Sequence, residues 1–480
     1  MAKTAVTPTR EENFSEWYQN VITAAELAEN SPSAGCMTVK PYGWAIWELM
    51  QAELDKRIKE VGVQNCQFPT LIPVDFLSRE AQHVEGFAKE SMIVTHHRLK
   101  MGADKKLIAD PDSVLAEPYI MRPTSETIIG EAMSRWIQSY RDLPMKLNQW
   151  CSVFRWEMRA RMFLRSREFF WQEGHNVFAT EEEAREDAMK MHGIYNEYMK
   201  DVLAINSIVG EKTPEERFAG ADNTYTREQI MQDGKALQVG TSHYLGQHFS
   251  KSFDIKYLGA DGQLHYAHTT SWGTTSRMIG SVIMSHGDDD GLVLPVRIAP
   301  YQAVIIPIVR DENAEALNEY AEMIGEELRE RGIRVMVDVS DVQTSDKIWK
   351  WIRRGAPLRI EVGMREKDAF SATVTRRDLG KVSQRTMPLT ELYNSVPGLL
   401  ETIHEDMLAK NEAMCKSMIA EVSDLEGLKA KLEADWKGFV RLPYDATLAP
   451  GFDVLMEKYR ISRRCLDEAD PKFVFVAKCY

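Results

Sequence analysis

A chain of 480 residues, 44% hydrophobic and 27% charged, is too long for one small core, so two or three domains are expected. A net charge of −13 excludes a protein coated all over in nucleic acid, and six cysteines without a CxxC pair exclude a disulfide scaffold. No apolar run reaches membrane-spanning length and the start, MAKTAVTPTREENF, lacks the apolar core of a signal peptide, so a cytoplasmic protein with free thiols and no membrane partner is expected.

The first element the pattern predicts is an amphipathic helix over 42–60, where Ile46, Met50, Leu54 and Ile58 recur at four-residue spacing between charges. Gly62 leads from it into QNCQFPTLIP, whose Pro69 suits a strand at an edge or an interface. From 119 to about 285 the chain is rich in short strands and turns. LNQWCSVFRWE and FFWQEGHNVFA read as strands, with the polar MRARMFLRSR as a loop between them. YLGQHFSKSFDIKYLG continues the pattern, and LHYAHTTSWGTTSRMIGSVIMSHG adds a strand and a helix starting near Thr275. An antiparallel sheet with helices on one side, an α+β fold, is the economical architecture. A break falls at GLVLPVRIAPYQ. Beyond it, apolar strands (QAVIIPIV, IRVMVDVS, LRIEVGM, FSATVTRR) alternate with amphipathic helices, as in a separate α/β domain. A charged helical stretch from about 398 to the 430s and a strand FVFVAK close the chain, giving expected units of 1–290, 296–397 and 398–480.

Two stretches stand out chemically. Residues 154–175, FRWEMRARMFLRSREFFWQEGH, hold five arginines, four phenylalanines and two tryptophans. A period of two puts Arg155 and Glu157 on one strand face, and Phe169, Trp171, Glu173 and His175 on one face of the next strand. Charged groups are rarely buried at such density without a ligand to satisfy them, and a ligand carrying both phosphates and a flat ring would use guanidiniums and aromatics together. From Asp346 to Arg385, eleven Lys/Arg face five Asp/Glu, a basic patch inside an acidic protein.

FRWE followed by FLRSREFFWQEGH resembles motif 2 of the class II aminoacyl-tRNA synthetases, in the form of the prolyl-tRNA synthetases of archaeal and eukaryotic type. RPTSE (122–126) resembles that family's proline-recognition sequence. QNCQFPTLIP with its preceding helix resembles motif 1, Pro69 being the proline of a dimer interface. SWGTTSRMIG, with Arg277, resembles motif 3; LQVGTSHYLGQ and FAGAD also match, so the resemblance covers nearly the whole chain.

The resemblance implies a homodimer that activates L-proline with ATP and transfers it to tRNA(Pro). Arg155 would bridge the proline carboxylate and the α-phosphate, since a planar guanidinium suits both anions. Arg277 would lie against the γ-phosphate and adenine, Arg165 at the phosphate tail, and Phe169 on the adenine ring. Glu157, Ser166, Gln238, Thr241 and Thr275 would be further ATP contacts, with Gln238 also touching the Mg that accompanies ATP. Proline, a small apolar ring with an ammonium, calls for a carboxylate, a hydroxyl and aromatic walls. Thr124 and Glu126 would receive the ammonium, while Trp171, Glu173, Phe218, His243, Ser271 and Gly273 shape the pocket and His175 lines it. Catalysis would rest on positioning and electrostatics, with no covalent enzyme intermediate.

The run KIWKWIRRGAPLRIEVG matches the family's basic anticodon-binding segment, which makes Lys347, Lys350, Arg353, Arg354 and Arg359 the expected tRNA contacts. Two departures from the family pattern matter. Only Cys465 and Cys479 stand where many relatives have four zinc-binding cysteines, and two thiols cannot close a tetrahedral site, so no zinc is expected. The residues between Glu173 and Arg277 are taken up by site-bearing segments, which leaves no room for the large editing insertion of bacterial-type relatives. A relative activating threonine, serine or glycine is disfavoured by RPTSE with WQEGH, and an inactive paralogue by the presence of Arg155, Arg165 and Arg277.

Overall fold

The structure, a computed structural model, describes residues 5–78 and 91–480. Residues 1–4, at the head of the stretch read above for a signal peptide, and 79–90 lie outside the described residues.

A seven-stranded sheet forms the frame of the site. Its strands run in the order Ile208–Glu211, Asn223–Ile230, Ala236–Tyr244, His268–Thr275, Glu168–Phe178, Met145–Phe154 and Gln64–Asn65. All pairs are antiparallel except the last, in which the short Gln64–Asn65 edge runs parallel to Met145–Phe154. Helices cover one face. Helix Glu181–Asp201 opens on a capping box between Thr180 and Glu183 and buries Ala184, Ala188, Met191, Tyr195, Tyr198 and Met199. Helix Pro41–Glu60 buries Ile46, Met50, Leu54 and Ile58, the stripe its spacing foretold. On the helix-covered face Gly174 admits the Trp272 indole, into which a Cβ would run at 2.0 Å. The opposite face carries alternate residues of the same strands and stays open.

One predicted strand is shorter than its pattern. The strand Met145–Phe154 ends before Arg155, where the Glu157 amide donates to the Arg155 carbonyl at 2.7 Å and turns the chain. Arg155 and Glu157 therefore reach the site from a turn and not from a pleated face. Pro69 lies exposed between Gln64–Asn65 and the strand Leu71–Pro73, which belongs to a separate three-stranded sheet.

Beyond the helix Arg277–His286, a five-stranded sheet takes the order Val335–Val337, Ala303–Pro307, Leu358–Val362, Ser371–Arg376, Arg385–Pro388. Its first two pairs are parallel and the others antiparallel. The long helix begins at Leu389, earlier than its charge pattern suggests, and ends at Ser417, with Pro397 inside it. A four-stranded sheet follows, in the order Ile419–Glu421, Phe439–Pro443, Phe473–Lys478, Ile461–Leu466. Ion pairs tie these parts to the first sheet and its helices. Arg377 bonds both oxygens of Asp288 at 2.6 and 2.7 Å, and Arg464 reaches Glu228 at 2.8 Å. None of the helices among the described residues is long and apolar enough to cross a membrane.

Candidate active site

The open face of the large sheet holds a cavity of about 320 Å³. At one end stands Glu173, buried on the strand Glu168–Phe178 between Trp171 and His175, all three on the cavity side as the period of two predicts. Its Oε1 accepts from Ser125 Oγ at 2.5 Å and Gln149 Nε2 at 2.6 Å, and its Oε2 meets His175 Nε2 at 3.0 Å. Burial pushes the Glu173 carboxyl up, but the His175 imidazole, Ser125 and Gln149 together hold it below the usual carboxylate range. Burial pulls His175 down, and the bond to Glu173 with the charges of Glu173 and Glu126 more than reverses this. Both shifts favour the charged forms, a protonated imidazole beside an ionised carboxylate.

Thr124 and Glu126 come from the start of helix Glu126–Trp136, where the Thr124 hydroxyl donates to the Glu126 carboxylate. Ser125, at the cap position, makes no side-chain cap bond and spends its hydroxyl on Glu173. Across the cavity, His243 Nδ1 meets Thr224 Oγ1 at 3.0 Å, and the Phe218 ring lies 4.7 Å from the imidazole. Burial, with the nearby His175 charge, lowers the His243 pKa to about 3, so this ring is neutral. The Ser271 hydroxyl is buried without a hydrogen-bond partner among the described residues, and it lines the cavity with Gly273.

The other end is cationic. Arg155 Nε donates to the Pro123 carbonyl at 3.0 Å, and its guanidinium lies 5.4 and 5.6 Å from the centres of Phe169 and Trp171. Arg277 is held by the carbonyls of Leu164 and Gln238, each at 3.1 Å. Burial, then the charges of Arg165 and Arg155, bring the Arg277 pKa down to about 10. A second cavity of about 270 Å³ adjoins here, lined by Glu157, Arg165 and Ser166 and sharing Arg155, Phe169, Thr275 and Arg277 with the first. Arg165 lies 3.6 Å from Glu157 and donates to the main-chain oxygen of Tyr480 at 3.0 Å. Three guanidiniums converging with so few carboxylates make a site for a polyanion.

Every residue expected to hold amino acid or ATP thus lines one cavity or the other, Gln238 and Thr241 included. Sequence reasoning missed Lys212, Glu216 and Thr224, which line the first cavity from the far edge of the sheet. It also missed Ser125 and Gln149. Gln149 sits directly opposite Glu173 in strand register, a pairing visible only once both strands are aligned.

The expected tRNA cations scatter. Lys347 is a correction: only 1% exposed, it donates to the Asp338 carbonyl at 3.0 Å and cannot meet a partner from inside its domain. Lys350 reaches the Asp338 carboxylate at 3.1 Å, Arg359 pairs with Glu361 at 2.6 Å, and Arg354 pairs with Glu26 while lying 4.9 Å from the Tyr42 ring. Arg353 is half-buried. Cys465 is buried and Cys479 exposed, and among the described residues no cluster of three or more His, Cys, Asp or Glu could hold a metal ion.

Residues 111–286 match the tRNA synthetase class II core domain (G, H, P, S and T), and 302–398 match an anticodon binding domain. A proline–tRNA ligase of Akkermansia muciniphila is 47% identical over 477 residues, covering 97% of this chain and 94% of that protein. One from Bdellovibrio bacteriovorus is 46% identical with 97% and 94% covered, and one from Paramagnetospirillum magneticum 51% identical with 90% and 87% covered.

Proposed function

The chain belongs to the proline–tRNA ligase family of class II aminoacyl-tRNA synthetases, and from that premise we propose how its two adjoining cavities divide the work. The enzyme activates L-proline with ATP and transfers the prolyl group to tRNA. In our reading Thr124 and Glu126 take the ammonium of proline, while Trp171, Phe218, His243, Ser271 and Gly273 surround its ring. The Glu173–His175 pair fixes the floor. Arg155 holds the proline carboxylate against the α-phosphate. Phe169 and Arg277 sandwich the adenine, and Arg165, Glu157, Ser166, Gln238, Thr241 and Thr275 hold the remainder of ATP. Mg enters with ATP as part of that substrate, beside Gln238.

In the first step a carboxylate oxygen of proline bonds to the α-phosphorus, the bond to the bridging oxygen breaks, and pyrophosphate leaves. The negative charge gathering at the α-phosphorus is met by Arg155, and that of the departing pyrophosphate by Arg277, which lies against the γ-phosphate as well as the adenine. In the second step a terminal ribose hydroxyl of the tRNA attacks the activated carbonyl and AMP leaves. The observation that carries this reading is the junction itself: the cavity with the carboxylate-and-hydroxyl end and the adjoining cationic cavity share Arg155, Phe169, Thr275 and Arg277 in their walls.

The same reading extends to the whole molecule. The units 1–290, 296–397 and 398–480 act as catalytic, anticodon-binding and carboxy-terminal domains, the second contacting tRNA through Arg353, Arg354, Lys350 and Arg359. Exposed Pro69, Leu71, Ile93, Leu99 and Leu107 support a homodimer built on the motif 1 side, to be checked by sedimentation equilibrium. The chain is of the archaeal and eukaryotic type without an editing domain, works in the cytoplasm and binds no zinc. Rapid deacylation of Ala-tRNA by the pure protein would contradict the first point, and one zinc per chain by elemental analysis the last. The central test is ATP–pyrophosphate exchange with each of the twenty amino acids. Proline is expected to drive it far above the others, and no response to proline would sink the assignment.

A further inference from the structure

The carboxy-terminal sheet meets the large sheet beside the cavity, and the contact is close and charged. Edge strand Ile208–Glu211 approaches strand Ile461–Leu466 so nearly that a Cβ on Gly210 would lie 2.0 Å from the Leu466 carbonyl oxygen and 3.0 Å from the Cys465 sulfur. Next to this contact stands Glu228, fully buried, with a separate cation on each oxygen. Lys212 Nζ donates to Oε1 at 2.8 Å, joined there by Thr226 Oγ1 at 3.1 Å. Arg464 donates twice to Oε2, at 2.8 and 3.1 Å. Lys212 and Arg464 are themselves only 4% and 8% exposed.

Such a carboxylate is fixed from both sides. Burial would push the Glu228 carboxyl up, but the charges and bonds of Lys212 and Arg464 hold it below its usual range, so it stays ionised. The charges of Glu228 and Arg464 also reach Arg277. Lys212 lines the cavity, and an ammonium carries three donors of which Glu228 takes one. Glu216 lines the same end, so no broad positive field exists there, and a ligand would be recognised by the fixed ammonium itself. Without Arg464, Oε2 loses both its bonds, and the carboxylate that anchors Lys212 is held at Oε1 alone, by Lys212 and Thr226.

We propose that Arg464, from the carboxy-terminal sheet, is a positioning residue of the reaction: through Glu228 it fixes Lys212 at the cavity wall, where the ammonium contacts a substrate phosphate. The inference rests on the reading of this cavity as the site of ATP and proline. The phosphate belongs either to ATP or to the 3′-terminal nucleotide of tRNA, which different assays separate.

The experiment uses the full chain and begins with proline-dependent exchange by the unaltered protein; failure at that stage would sink the reading of the cavity, not the role of Arg464. Lys212→Met, Arg464→Leu and Arg464→Lys are then compared for KM of ATP and proline in exchange, KM of tRNA in charging, and urea unfolding. Lys212→Met and Arg464→Leu are expected to raise one phosphate-bearing KM on the order of 10- to 100-fold, the range of one lost bond to a charged group, with little change for proline. A rise for ATP assigns the phosphate to ATP, and a rise for tRNA alone assigns it to the tRNA end. Arg464→Lys, which keeps a cation on Oε2, is expected to regain most of the loss. The double variant Lys212→Met/Arg464→Leu is expected to be no worse in KM than Lys212→Met alone. A folded Arg464→Leu protein with both KM values unchanged overturns the proposal. If Arg464→Leu does not fold, unchanged KM values in Lys212→Met overturn it equally.

Discussion

Replacing Glu173 with glutamine tests the floor of the site at constant volume. The carboxylate is 3% exposed and takes its bonds on both oxygens, from Ser125 at 2.5 Å, Gln149 at 2.6 Å and His175 at 3.0 Å. An amide keeps one acceptor and turns the other position into a donor, which then faces either the His175 or the Gln149 N–H. The negative charge also disappears from beside a buried imidazolium, and breaking one side of a buried pair costs about 3–5 kcal/mol. The pH dependence has a defined shape. Glu173 lies below its ordinary 4.5 in the folded protein, so its stabilisation is present above 4.5 and is lost as pH falls through the folded value. His175 lies above its ordinary 6.5, so its stabilisation is complete below 6.5 and is lost as pH rises through the folded value. The two contributions overlap fully between 4.5 and 6.5. Urea unfolding at several pH values should therefore show the largest deficit of Glu173→Gln inside that window. The imidazole signal of His175 should titrate below the ordinary value in the variant. Full stability in the window, with His175 still charged near neutral pH, would refute the ion-pair reasoning.

Three further outcomes follow from the same geometry. Arg155→Ala should lower proline-dependent exchange by on the order of 100-fold or more while the melting curve stays in place, because the proposed function uses its charge at the α-phosphate; a near-normal rate would remove it from the chemistry. Arg353→Ala should leave exchange unchanged and raise the KM for tRNA in charging, and equal loss of both activities would mean that the anticodon-binding surface lies elsewhere. Gly174→Ala should destabilise the protein by about 1–3 kcal/mol in urea, since its Cβ would lie 2.0 Å from the buried Trp272 ring; unchanged stability would show that this indole can move aside.

The residues that the sequence exposed most clearly owe their placement to local geometry. Trp171, Glu173 and His175 alternate along one strand, and a strand of that length turns them to the same side whatever it pairs with. Thr124 and Glu126 flank a helix start for an equally local reason. Arg155 shows the limit: alternation assigned it to a strand face, but a turn closed by the Glu157 amide begins there, and the guanidinium comes to the cavity from the strand's end. Lys212, Glu216 and Thr224 had no local signal. They are brought in by pairing of the edge strand Ile208–Glu211 with its neighbour Asn223–Ile230, which no short-range pattern specifies.

The basic stretch teaches the opposite lesson, because counting charges over a window treats every cation as a surface group. Helix Thr344–Arg353 is amphipathic, and Lys347 and Trp351, four residues apart, fall on its buried side. What makes burial of Lys347 tolerable is Asp338, which precedes the counted window. The Asp338 main-chain oxygen accepts from Lys347, and its carboxylate accepts from Lys350 at 3.1 Å and from the Trp351 indole at 2.6 Å. Burial opposes ionisation of Asp338, yet Ser340, Trp351 and Lys350 together bring its pKa down to about 2. One acidic residue outside the stretch thus turns part of a nominal nucleic-acid surface into the packing of a domain, while Arg354 and Arg359 are answered by Glu26 and Glu361. The cations that remain exposed lie further along the chain: Arg365 on the helix Met364–Asp368, Lys381 in the short helical turn Gly380–Ser383, and Arg385 at the start of the strand Arg385–Pro388. Exposure separates those three from the paired and buried cations of the same stretch, so a charge count should be taken over accessible ammonium and guanidinium groups and not over sequence.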